Sequence, residues 1–200
     1  MSSNQTFEHL PDELLLQICR YLSPSDILLA FCGLNLRLNQ TISDFIRHVH
    51  FSSVISYSNY LYLLRTSLPS IWSSIESLTI SNYPISCMTS VFLQTIENDL
   101  PIHLKRLSLF HVDLHDVYQF VTRLTSKYEV EELIVDCRDP EFSKQQVSYG
   151  YKIAQMLFFH HPTLKSIELR GDLVFDISHL SFLSLSNNED SNVRNLTYCS

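Results

Sequence analysis

The chain has 200 residues, with 14 Lys and Arg against 21 Asp and Glu and a formal net charge of −7. At 45% hydrophobic and 18% charged it has the balance of a folded globular protein. Its scattered cations exclude the electrostatic footprint of a nucleic-acid binder. Three Gly, with no G-x-G-x-x-G or G-x-x-x-x-G-K-S/T run, exclude a phosphate-cradling loop. The five cysteines (Cys19, Cys32, Cys87, Cys137, Cys199) form no C-x-x-C pair. With no signal-like start, they predict a reducing compartment, cytoplasmic and/or nuclear. The glycosylation-type triplets at Asn4, Asn39 and Asn195 then carry no meaning. No apolar run approaches the ~18 residues needed to cross a bilayer, so no membrane partner is expected.

In chain order, Leu10-Pro11-Asp12-Glu13 predicts a helix start, with Pro at the first helical position and two carboxylates at the positive helix end. Leu14, Leu15, Ile18, Cys19 and Leu22 continue as a wide apolar stripe. Ser23-Pro24-Ser25-Asp26 restarts the chain as a second helix, with Ser23 as N-cap, Pro24 at N1 and Asp26 at the capping-box position. Ile27 to Cys32 are apolar almost all round, and Gly33 is placed to end that helix. Leu36, Leu38, Ile42, Phe45 and Ile46 outline a third. Three short helices this apolar carry more greasy surface than so small a unit can bury, which predicts a docking module.

Leu-Pro-x-Glu-Leu-Leu-x-x-Ile, a Tyr-Leu soon after and Ser-Pro-x-Asp-Ile-Leu together resemble the F-box pattern over Leu10 to Leu28, so that the segment from about Phe7 to Phe45 resembles an F-box. The resemblance implies docking on a Skp-type adaptor, and through it on a cullin-RING scaffold, as the substrate-recruiting subunit of an SCF-type ubiquitin ligase. Carried over by position, the implied adaptor contacts are Leu10, Pro11, Leu14, Leu15, Ile18 and Leu22, with Leu28 and Leu29 behind them. The third helix departs from the pattern. F-boxes usually show Val-Cys followed by Trp, whereas Phe31-Cys32-Gly33 leads to Leu36-Arg37-Leu38-Asn39. The other reading of these helices is a plain N-terminal cap on a larger fold.

From Ile46 a second pattern takes over. Ile75-x-x-Leu78-x-Ile80, Leu104-x-x-Leu107-x-Leu109, Val130-x-x-Leu133-x-Val135, Leu164-x-x-Ile167-x-Leu169 and Val193-x-x-Leu196-x-Tyr198 all read L-x-x-L-x-L, and Ile46-x-x-Val49-x-Phe51 is a degenerate earlier copy. The central positions 49, 78, 107, 133, 167 and 196 are spaced by 29, 29, 26, 34 and 29 residues, at the upper end of the leucine-rich repeat period. Helical spacing lies between them: Tyr60 to Leu68 ending before Pro69, Val91 to Ile96, Val117 to Leu124, and Ile153 to Leu157 closed by Pro162. The expected architecture is α/β: a three-helix F-box at 1–45, then an irregular leucine-rich repeat solenoid at 46–200, parallel strands on the concave face and helices outside. Asn82 is the one clear repeat asparagine, with Cys137 a substitute in another unit. No capping unit follows the last motif. This predicts a fragment of a longer protein, or a final strand covered by another molecule.

The outward x positions give His48, His50, Ser77, Thr79, Arg106, Ser108, Glu132, Ile134, Ser166, Glu168, Asn195 and Thr197, with Phe110, Asp136 and Arg170 just past the strands. Of these, Arg106, Phe110, Glu132, Ile134, Asp136, Glu168 and Arg170 are the candidate target-binding residues, a mixed surface suited to a protein partner. The alternative is an ordinary solvated face, with binding carried by loops or further repeats; Asp136 to Glu141 reads as a solvated loop. No catalytic set emerges. His111 and His115 have helical metal spacing but straddle a strand-to-helix connection and read as loop residues, His160-His161 suits a helix end, and no serine sits in a G-x-S-x-G elbow. Cys19 and Cys32 lie in apolar stripes as small hydrophobes. No enzyme activity, cofactor or metal is expected. The rival functions are a repeat-only interaction or inhibitor protein with a helical cap, and an enzyme of unrecognised type.

Overall fold

The structure, a computed structural model, describes residues 10–51, 55–83, 85–96, 100–124, 129–137, 152–153, 155–157, 163–171 and 195–199. Helix α1 (Asp12–Cys19) begins one residue later than its sequence predicts. Pro11 is the N-cap, with ψ 147°, because its fixed φ suits the extended residue before the helix as well as the first residue within it. Helix α2 (Pro24–Phe31) follows an Ser23 cap whose hydroxyl oxygen accepts the Asp26 N–H at 3.1 Å and whose hydroxyl donates to the Asp26 carboxylate at 2.7 Å. The capping box closes through the serine hydroxyl. α2 stops at an extended Cys32, and Gly33, one residue beyond the cap, takes φ +87° and turns the chain. Its N–H is met by the Asn39 side chain from α3 (Leu36–Phe45) at 2.7 Å.

Six strands follow: β1 (His48–Phe51), β2 (Ser77–Ser81), β3 (Arg106–Val112), β4 (Glu132–Cys137), β5 (Ser166–Gly171) and β6 (Asn195–Cys199). They form one sheet in sequential order, every neighbouring pair parallel. The register joins Val49, Leu78, Leu107, Leu133, Ile167 and Leu196 in one row, which are the central positions of the six motifs. The motif spacing thus coincides with the strand register. Parallel neighbours need a crossover, and helices supply it: α4 (Tyr57–Tyr62) and α5 (Leu68–Ile71) before β2, α6 (Met88–Thr95) before β3 and α7 (Leu114–Arg123) before β4. Residues 152–153 and 155–157, before β5, are also helical.

The segment predicted to end before Pro69 continues through it. A π-helical turn over Leu63–Ser67, with the Leu68 N–H reaching Leu63 O, joins α4 to α5. A proline ring clashes with the carbonyl four residues back, and the wider turn redirects those carbonyls so the helix can pass. Strands β3, β4 and β5 run longer than L-x-x-L-x-L implies, so Phe110, Asp136 and Arg170 lie within strands and not beyond them. β3 gains length through a bulge between Phe110 and Val112, where His111 takes φ 57°.

A single buried cluster runs from Leu15 of α1 to Ile167 of β5. It takes the inward strand residues, the motif-opening Ile46, Ile75, Leu104, Val130 and Leu164, and the helix faces carrying Phe92 and Phe120, whose rings stack at 5.7 Å. At the amino-terminal side α2 packs on β1, and Ser25 donates to His50 O at 3.4 Å. The edge of the sheet at β1 is therefore covered by the helical module.

Candidate functional site

The eight residues expected to touch an adaptor divide by burial. Leu14 is 46% exposed, Ile18 and Leu22 are also exposed, Pro11 is exposed, and Leu10 and Leu29 are half-buried. Leu15 and Leu28 are fully buried and have no surface to offer a partner, which corrects their placement in the docking set. Leu14 and Leu15 are one residue apart, about 100° around a helix, so a stripe that includes both must send one inward. Sequence reasoning missed Tyr21, 90% exposed, Leu34 between α2 and α3, and Leu36 at the start of α3, both also exposed, as docking residues. Their signal was available: an apolar pair in Gly-Leu-Asn-Leu beside a capping asparagine, where polar residues are the norm. Of the eleven large apolar residues exposed among those described, seven (Leu14, Ile18, Tyr21, Leu22, Leu34, Leu36, Phe45) belong to this module. Clustered apolar exposure marks an interaction surface.

The second surface is the outward face of the sheet. The register aligns His48, Ser77, Arg106, Glu132 and Ser166 in one row, His50, Thr79, Ser108, Ile134 and Glu168 in the next, and Ser81, Phe110, Asp136 and Arg170 in a third. All seven candidate target-binding residues therefore share one face. Their charges are largely internal to it. Arg106 pairs with Glu132, and Arg170 pairs with Glu168 at 2.7 Å while lying 5.9 Å from the Phe110 ring centroid. Asp136 belongs to this outward row but is only 7% exposed; it is a covered strand residue and not the start of a solvated loop, and residues 138–141 lie outside the described residues. Beside the row, the Tyr83 ring lies 5.6 Å from His111, whose Nδ1 is 3.3 Å from Ser81 Oγ.

A third feature was legible and overlooked. The first x of the first five motifs alternates in sign: Arg47, Glu76, Lys105, Glu131, Lys165. In the structure Glu76 pairs with Arg47 at 2.9 Å and Lys105 at 3.4 Å, and Glu131 with Lys165 at 2.9 Å. Hydrogen bonding by Lys105, more than its charge or that of Arg47, holds the Glu76 carboxyl below its ordinary range. The backbone repeats the pattern. Arg47 O accepts the N–H groups of Glu76 and Ser77 at 2.8 and 3.0 Å, and the carbonyls of Glu76, Lys105 and Glu131 do the same for the next strand.

His111 and His115 are not loop residues: the first is the β3 bulge and the second stands in the first turn of α7. Their rings address different partners, Ser81 and Gln119. Among the described residues no group of three or more His, Cys, Asp or Glu could hold a metal. His160 and His161 lie outside the described residues. Where α6 and α7 meet, Ser90 donates to both Asp116 oxygens at 3.2 and 3.0 Å, Asp113 caps α7 through the Asp116 N–H, and Asn82 binds the N–H and hydroxyl of Thr89 at 2.8 Å each. The repeat asparagine thus fastens the start of α6, whereas Cys137 is a buried strand end paired with Val112.

Residues 7–34 match the F-box-like family. This match covers α1, α2 and the exposed turn after them, and does not extend to the L-x-x-L-x-L motifs. No curated protein and no solved structure matches the chain. F-box-like domains are typically non-catalytic modules that bind Skp-type adaptors, and the domain points to a ubiquitin ligase adaptor role. No described helix is long and apolar enough to cross a membrane.

Proposed function

We propose that the chain is a substrate-recruiting subunit of an SCF-type cullin-RING ubiquitin ligase, with an F-box at 1–45 and an irregular leucine-rich repeat solenoid at 46–200. The observation that carries this reading is the split of α1. Leu15 and Cys19 anchor it in the core while Leu14 and Ile18 stay exposed beside Leu22, inside the segment that matches the F-box-like family. Leu10, Pro11, Leu14, Ile18 and Leu22 would meet the Skp-type adaptor. The solenoid reading rests on sequential parallel strands with one motif per strand. Its outward face, with Arg106, Phe110, Glu132, Ile134, Glu168 and Arg170 at the surface, would hold a protein target. Such a subunit acts by raising the effective concentration of target near the transferred ubiquitin and needs no reactive group of its own.

Co-expression with a Skp-type adaptor and size-exclusion chromatography tests the reading. A one-to-one complex is expected. Leu14→Asp and Ile18→Asp should each cost roughly 2 kcal/mol of binding, about 30-fold, without unfolding a chain in which both side chains are exposed. A second reading, a repeat scaffold with a helical cap and no ligase role, draws on the packing of α2 against β1. It would hold if the folded wild type ignored the adaptor.

A further inference from the structure

Helix α1 presents Leu14 and Ile18 outward but fastens itself inward through only two buried side chains, Leu15 and Cys19. Its N-cap is a proline with no side-chain acceptor for the first turn. That turn is held instead by Arg37, from the first turn of α3. One guanidinium nitrogen pairs with Asp12 Oδ1, and another donates to the Leu10 carbonyl at 3.1 Å. The guanidinium therefore spans Pro11, gripping the residue on each side. A rigid planar fork can serve two acceptors at fixed spacing, which a flexible lysine reproduces poorly. Its own base is firm: Asn35 caps α3 through the Leu38 N–H at 2.9 Å, and Leu38 and Ile42 are fully buried.

We propose that Arg37 is a positioning residue for the adaptor-docking face. By clamping Leu10 and Asp12 to α3 it sets the direction of α1, and with it where Leu14 and Ile18 point. The inference rests on the adaptor reading above. The Arg37 and Asp12 side chains are 41% and 45% exposed, so the pair adds little to global stability. What it supplies is order in α1 before the partner arrives, and pre-organisation lowers the entropy lost on binding.

The test uses the full chain and a purified Skp-type adaptor. Adaptor affinity, melting midpoint and amide hydrogen exchange over residues 12–19 of the free protein are measured for wild type, Arg37→Ala and Arg37→Lys. Arg37→Ala should weaken adaptor binding about 10-fold and speed exchange in α1, with the midpoint close to wild type. Arg37→Lys should recover part of both. Unchanged affinity in Arg37→Ala overturns the proposal. So does lost affinity with unchanged α1 exchange, since Arg37 would then touch the adaptor itself. A wild type that fails to bind removes the adaptor reading and this proposal with it, a result distinct from either variant outcome.

Discussion

At the first turn of α7 a carboxylate sits where water barely reaches it: Asp116 is 4% exposed. Burial, and after it the charge of Asp113, pushes its carboxyl above the ordinary range, against the opposing pull of Ser90, His115 and Asn82. A carboxyl whose folded pKa is raised binds its proton more tightly in the folded state. Its contribution to stability is full below the unfolded value of about 3.9 and is lost as pH rises through the folded value. Asp116→Asn keeps an acceptor for Ser90 without the charge. It should raise the melting midpoint near pH ~7 and match wild type below pH ~3. Thermal unfolding across that range checks this, and a less stable Asn variant at neutral pH would mean that the ionised form is the one the site holds. Such a residue is invisible to pattern reading, because Leu-His-Asp-Val looks like any helix start after an aspartate cap. The same limit separates Leu14 from Leu15: their identities are equal, and only the position of α3 decides which one is covered.

Among the elements, α2 is the clearest case of local chemistry agreeing with tertiary role. Ser23, Pro24 and Asp26 start it, and Ile27, Leu28 and Phe31 seat it in the core beside β1. Ser23→Ala should lower stability by about 1 kcal/mol through the lost cap, and Leu28→Ala by roughly 2–5 kcal/mol through the cavity it leaves. Denaturant unfolding measures both, and equal effects would contradict the difference in burial. These helices were readable because caps and apolar stripes act within a few residues. The π turn before Pro69 and the bulge at His111 were not, since each adds a residue to a period without marking it. Pro69 looks like a stop from the sequence, and only a widened preceding turn lets the helix go on.

Over the whole molecule the sheet has one grammar: a buried row, a forked carbonyl and an alternating charge at every step from β1 to β5. The buried row could be read from the motif spacing. The charges are a weaker signal than the leucines, although their opposite signs recur at the same spacing of 29, 29, 26 and 34 residues. Glu76→Lys would set three cations side by side at Arg47, 76 and Lys105. It should lower the melting midpoint at low ionic strength, with most of the deficit gone near ~1 M salt. A deficit indifferent to salt would assign the loss to packing. The covered edge at β1 has a consequence for synthesis on the ribosome. Because the helical module precedes the sheet in the chain and seals its first strand, each later strand emerges to find its single neighbour already in place. The nascent sheet then grows in one direction only, one crossover at a time, and never has to search for a distant partner.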